Sequence, residues 1–180
     1  MPRIYILPLD GVGTYILDRI AKGVESCFHL SPAILPAITV PPDALDASRR
    51  QYHSTVILRR LAAHLPPDGL RILGITNVDL YVPRLRFVFG EAVIHGKVAV
   101  VSIHRLRPEF YGQASDNELL AERTIKEVIH ELGHTFGLQH CLNPQCVMFF
   151  SNTVQDTDRK LSQFCESCRV QIEDKVTTAS

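Results

Sequence analysis

The sequence predicts an α/β protein of the α+β kind, a mixed and twisted sheet with one antiparallel edge strand packed over a long helix. Three observations predict it. Strand-like apolar stretches alternate with helical periodicities as far as residue 76, an order that implies a largely parallel sheet flanked by helices. Two further strand-like stretches then follow one another too closely for a crossover, so they pair antiparallel. Last, one long helical pattern runs directly into "HELGHTFGLQHC", residues 130–141.

Residues 3–9 read as the first strand, and residues 14–28 as a helix with Ile16, Leu17, Ile20, Val24 and Cys27 at helical spacing. Gly11 and Gly13 between them resemble the start of a dinucleotide-binding turn, but Ile16 stands where its last glycine belongs, so they are read as turn formers. A second strand is expected over 33–40, a helix over 47–65 and a third strand over 70–76. The antiparallel pair is expected at 86–92 and 97–103. Ser115, with Glu118 three residues on, offers a capping box for a helix that ends near Thr135. A short helix is expected near the C-terminus.

The bulk composition narrows the function. With 180 residues the chain has the size of one domain. Nineteen basic side chains balance nineteen acidic ones, so no field draws in nucleic acid. The apolar start is cut by Pro8 and Asp10, and no stretch approaches the ~20 apolar residues of a membrane span, so a cytoplasmic protein without a membrane partner is expected. In a reducing compartment its five cysteines are free or metal-bound rather than paired as disulfides.

Residues four apart on a helix share a face, so His130 and His134 can direct their imidazoles to one point. Continued helix would carry His140 to another side and about 9 Å further along. Gly137 removes that obstacle, because glycine adopts the left-handed conformation that ends helices and lets His140 fold back. Three histidines leave a fourth position for water, the arrangement of a catalytic zinc, and Glu131 stands where it can take a proton from that water. A bare HExxH arises by chance in many helices. The extended HExxHxxGxxH is far more restrictive, because helix, hinge and ligands have to agree. His29, His53, His64, His95 and His104 lack ligand spacing and are read as surface or core residues.

In extended chain neighbouring side chains point to opposite sides, so Cys141 faces away from an ion held by His140. Cys141 and Cys146 followed by Cys165 and Cys168 have the two-pair spacing of a tetrahedral four-cysteine zinc site, with Arg159, Lys160 and Arg169 near enough in sequence to offset its charge. Two disulfides are the bland alternative, and a Cys141/His140 nucleophilic pair would leave three cysteines unexplained. Cys27 lies on the apolar face of its helix and is read as core rather than as a latency switch.

These residues resemble a known family. HELGHTFGLQH followed by CLNPQC, then Met148 and CESC, is similar to the archaemetzincins, a branch of the metzincin metallopeptidases, and residues 74–92 share the likeness. The resemblance implies a metzincin-like fold with Met148 in a Met-turn beneath the catalytic zinc. It also implies His130, His134 and His140 as ligands, Glu131 as general base, and an edge strand at 86–90 that pairs with extended peptide. One domain, 1–180, is expected, with an N-terminal subdomain 1–139 and a small zinc-stapled subdomain 140–180. The expected activity is hydrolysis of peptide bonds by a monomer holding two Zn2+ ions, against the alternative of a zinc-bearing protein that binds peptides with little or no turnover. Phe149 and Phe150 after the Met-turn lead to the expectation of a pocket for bulky apolar side chains.

Overall fold

The computed structural model describes residues 3–179, and its frame is set by strands that are apolar on both faces. The elements in chain order are β1 (Arg3–Leu9), α1 (Thr14–Phe28), β2 (Pro32–Ile34), β3 (Leu45–Asp46), β4 (Gln51–His53), α2 (Ser54–Leu61), β5 (Gly69–Thr76), β6 (Leu80–Tyr81), β7 (Gly90–Ala92), β8 (Val98–Ser102), α3 (Asn117–Thr135), α4 (Val154–Arg159) and α5 (Glu166–Ala179). Five strands form one sheet in the order β2-β1-β5-β8-β7, all parallel except β7, which runs antiparallel to β8. This is the expected mixed sheet with an antiparallel edge.

Alternation along the strands sorts the core into two layers. Ile4 and Ile6 of β1, Leu73 and Ile75 of β5, and Ala99 and Val101 of β8 face α1 and α3. Leu7, Leu9, Ile72, Val98 and Val100 face α2, where Ile57, Leu58 and Leu61 cover them. Among the described residues no helix is long and apolar enough to cross a membrane.

Up to the start of α3 four expectations shift, each for a local reason. The second strand stops at Ile34 because Pro36 has no N–H to give, although Ile38 N–H still reaches the Pro8 carbonyl at 3.1 Å. The helix expected over 47–65 starts only at Ser54. Before it, the Asp46 carboxylate accepts from Ser48 and Arg49 N–H, Arg50 turns left-handed at φ 55°, and β3 and β4 join β6 in a small second sheet. The edge strand is confined to β7. Its expected first half leaves the ladder, with Val88 N–H donating to the Leu80 carbonyl while Arg49 and Gln51 donate to the Arg86 carbonyl. Finally, the cap of α3 is Asp116, whose carboxylate accepts from Leu119 N–H, one residue after Ser115.

Beyond α3 the chain wraps back over that helix. Thr153 and Asp156 close a capping box on α4, and Nε and Nη2 of the buried Arg123 each donate to the Asp158 carboxylate at 2.7 Å. The C-terminal part therefore holds two helices, α4 and α5, where one short helix was expected. Covered by the sheet on one side and by this segment on the other, residues 126–135 of α3 are all buried.

Candidate active site

Within that buried stretch His130 and His134 lie one turn apart, with their Nε2 atoms 3.1 Å from each other. Each Nδ1 sits against a backbone carbonyl, Val147 O at 2.9 Å for His130 and Leu138 O at 2.7 Å for His134. A carbonyl can only accept, so each Nδ1 carries its ring's proton and each Nε2 presents a lone pair. Two lone pairs facing at 3.1 Å repel unless a cation lies between them. Nitrogens on a tetrahedral zinc with bonds of ~2.05 Å would stand about 3.3 Å apart, so the pair fits that ion.

The third histidine arrives as the glycine argument predicts. Gly137, at φ 91°, ends the helix with its N–H on the His134 carbonyl, and Leu138 N–H returns to Gly133. A β carbon at Gly137 would also stand 2.1 Å from the ring of the exposed His95, which would have to move, but it is the left-handed backbone that favours glycine there. His140 then brings its ring within 5.3 Å of His130 and 4.9 Å of His134, centre to centre, with Phe150 behind it at 4.8 Å. One nitrogen from each of the three lies within 4.8 Å of the others.

Burial holds His130 and His134 below the ordinary imidazole range, with the nearby Lys160 charge adding to the effect on His130; burial lowers the more exposed His140 as well. All three therefore favour the neutral form that binds a metal. Glu131 moves the other way. Burial raises its carboxyl well above the usual range, repulsion from Glu127 adds to this, and Lys160 opposes it. Glu131 lines a pocket of about 160 Å³ bounded by segment 85–90, by Glu127 and His130 of α3, and by residues 150–152.

Met148 lies fully buried beneath the helix, where a β carbon at Gly133 would stand 2.5 Å from its sulfur. Its carbonyl accepts from Cys141 N–H at 2.9 Å, which ties the turn to the chain just past His140. On the far side of that chain the sulfurs of Cys141, Cys146, Cys165 and Cys168 converge within 4.8 Å. Cys141 and Cys165 stand 3.8 Å apart, the edge of a tetrahedron with bonds of ~2.3 Å and far too long for a disulfide. Asn143 N–H points at the Cys141 sulfur and Cys165 N–H at the Cys146 sulfur, at 3.4 and 3.3 Å. The cations expected to offset this cluster are engaged elsewhere: Arg159 with Asp156, Lys160 with Glu127 and Arg169 with Glu173. Cys27 stands apart, its thiol pushed up to about 12 by burial.

Spacing could not find Gly90 or Lys160, because the fold brings them to the site from separate elements, and Glu127, though on α3, stands outside the HExxH pattern. Gly133 did carry a signal, as glycine inside a helix costs stability relative to alanine and so calls for a packing reason.

The sheet, the helix and this donor set define a zinc metallopeptidase. The model of "Peptidase family M54" matches residues 21–174. An archaemetzincin of Methanocaldococcus jannaschii is 43% identical over 173 residues, covering 96% of this chain and 94% of the relative. Among solved structures, the archaemetzincin of Archaeoglobus fulgidus complexed with malonate superposes with a TM-score of 0.82 at 44% identity, covering 94% of this chain and 99% of that one. A zinc-dependent peptidase from Methanocorpusculum labreanum gives 0.87 at 32% identity, with the same coverage. The chain belongs to peptidase family M54, the archaemetzincins.

Proposed function

We propose that this chain hydrolyses peptide bonds at a zinc ion held by His130, His134 and His140, with Glu131 as general base. The observation that carries the reading is the pair of Nε2 lone pairs at 3.1 Å, each fixed by a proton on the opposite ring nitrogen. A zinc ion held there supplies a Lewis acid for the peptide carbonyl and lowers the pKa of water. Glu131, one residue after the first ligand and facing the pocket, takes the proton from the attacking water and returns it to the leaving amine. Its raised pKa brings it nearer to neutrality, which suits a group that has to do both. Segment 85–90 borders the same pocket and forms the wall along which substrate would lie.

A second zinc is assigned to the four cysteines, where it fastens segment 140–180 as a subdomain of the single domain and steadies His140 through Cys141. Peptides or proteins are the substrates; a monomer in the cytoplasm is the working state. Glu131→Ala tests the reading, since it leaves all three ligands in place. The variant should keep its zinc, measured by metal analysis, and lose hydrolysis of a mixed peptide library by about 10³-fold or more. Equal activity in variant and parent would sink the role of Glu131. Absence of turnover in the zinc-loaded parent would favour peptide binding without cleavage.

A further inference from the structure

The pocket beside Glu131 is lined by a second carboxylate. Glu127, one turn before Glu131 on α3, lines it although its side chain is only 4% exposed. One oxygen is saturated, since Oε1 accepts from Thr157 Oγ1 at 2.9 Å and Ser151 Oγ at 3.2 Å and lies 3.0 Å from Lys160 Nζ. The other, Oε2, accepts no hydrogen bond. It is not sealed from solvent either, because among the described residues the buried side-chain polar atom without a partner is His53 Nδ1. With Oε1 engaged and Glu127 lining the pocket, Oε2 is the oxygen left to meet a ligand there.

Lys160 stands behind this carboxylate rather than in the pocket. It is fully buried, donates to the Phe149 carbonyl at 3.3 Å and does not line the cavity. It balances the charge of Glu127 from the side of Oε1, its nearer oxygen. The cavity walls also supply Phe87, Phe89 and Phe150, so an entering side chain meets aromatic surface as well as an acceptor.

From this geometry we infer that Glu127 is a specificity-determining residue, selecting substrates whose side chain in this pocket is long and ends in a neutral hydrogen-bond donor, as glutamine does. The inference rests on the peptidase reading above and replaces the purely apolar pocket that Phe149 and Phe150 led us to expect. An aliphatic side chain of equal length would cover Oε2 and leave a charged acceptor dry, which costs more than its burial gains. An acidic side chain would meet a buried like charge. Arg86 also lines the pocket but is exposed, so water and salt screen it and Glu127 decides.

The test uses peptides identical except at the two positions flanking the cleaved bond, each scanned with Gln, Met and Glu. Cleavage by the zinc-loaded parent gives kcat/KM, and binding of the same peptides to Glu131→Ala gives affinity without turnover. At one flank Gln should exceed Met by about 10- to 100-fold, and Glu should be poorer still. Glu127→Gln together with Lys160→Met removes both charges at nearly constant volume, and in that variant Gln and Glu should converge to within a few-fold. Preference for Met over Gln at both flanks, or Glu accepted as well as Gln, overturns the inference even if the double variant fails to fold. Unchanged discrimination in a folded double variant overturns it too. Continued hydrolysis by Glu131→Ala would instead refute the proposed base and leave the affinity ranking standing.

Discussion

The α carbon of Gly90 on the edge strand lies against the side chain of Glu131 on the helix: a β carbon built there would stand 2.7 Å from Glu131 Cγ and 3.0 Å from Oε1. Its neighbour Glu91 points the opposite way and accepts from Ser54 and from Thr55 Oγ1, the latter at 2.8 Å, which fastens β7 to α2. The strand thus fixes where the carboxylate sits.

Gly90→Ala should displace Glu131 and lower kcat by about 100-fold, with zinc content unchanged. The added methyl would also meet the Val100 carbonyl at 2.7 Å, so part of any stability loss has nothing to do with Glu131. A double-mutant cycle separates the two terms. In a Glu131→Ala background the carbonyl contact persists and the carboxylate contact disappears, so Gly90→Ala should cost less stability there by roughly 0.5–3 kcal/mol. Equal cost in both backgrounds, measured by urea denaturation, would show that Gly90 does not position Glu131.

The convergence of the three proposed histidine ligands was legible before the fold because HExxHxxGxxH encodes its own geometry: four residues make a helical turn and glycine makes the exit. The same holds for the two cysteine pairs, whose spacing reflects the reach of a short loop. Gly90, Glu127 and Lys160 were not legible, since their roles depend on an edge strand and a C-terminal wrap meeting at one helix face. Where the sequence overreached, polar side-chain chemistry competed with periodicity. Asp46 built a turn where apolar spacing continued a helix, and Arg49 and Gln51 drew Arg86 off the ladder.

Metal-free protein should lose stability on the acid side of neutrality. His130 is held below an unfolded value of ~6.5 chiefly by burial, so the unfolded chain binds a proton first as pH falls. The stabilising contribution is therefore fully present above pH ~6.5 and is lost as pH falls toward the lowered native value. Replacing His130 with Phe, which cannot titrate, should remove that part of the slope in chemical denaturation of the metal-free protein between pH 7 and 5. The sign reverses, and the reading fails, if the parent grows more stable than the variant as pH falls through that window.

The two donor sets should release their metals in a fixed order. His140 is exposed and His130 lines the pocket, so a chelator or mild acid reaches the three-histidine set directly. The cysteine set is closed by four sulfurs, with Cys146 and Cys168 buried, and it joins the chain after His140 to the start of α5. Binding there is coupled to folding of the segment, so its zinc should leave only as that segment unfolds. Metal analysis during a chelator titration, followed by circular dichroism, should show one zinc lost with the folded signal retained and a second lost together with that signal. Cys168→Ser should destabilise α5 and weaken zinc binding at the histidines, because Cys141 N–H and the Met148 carbonyl link the two sites. Loss of the folded signal with the first zinc, or full histidine-site affinity in Cys168→Ser, would contradict the division into an exchangeable ion and a structural one.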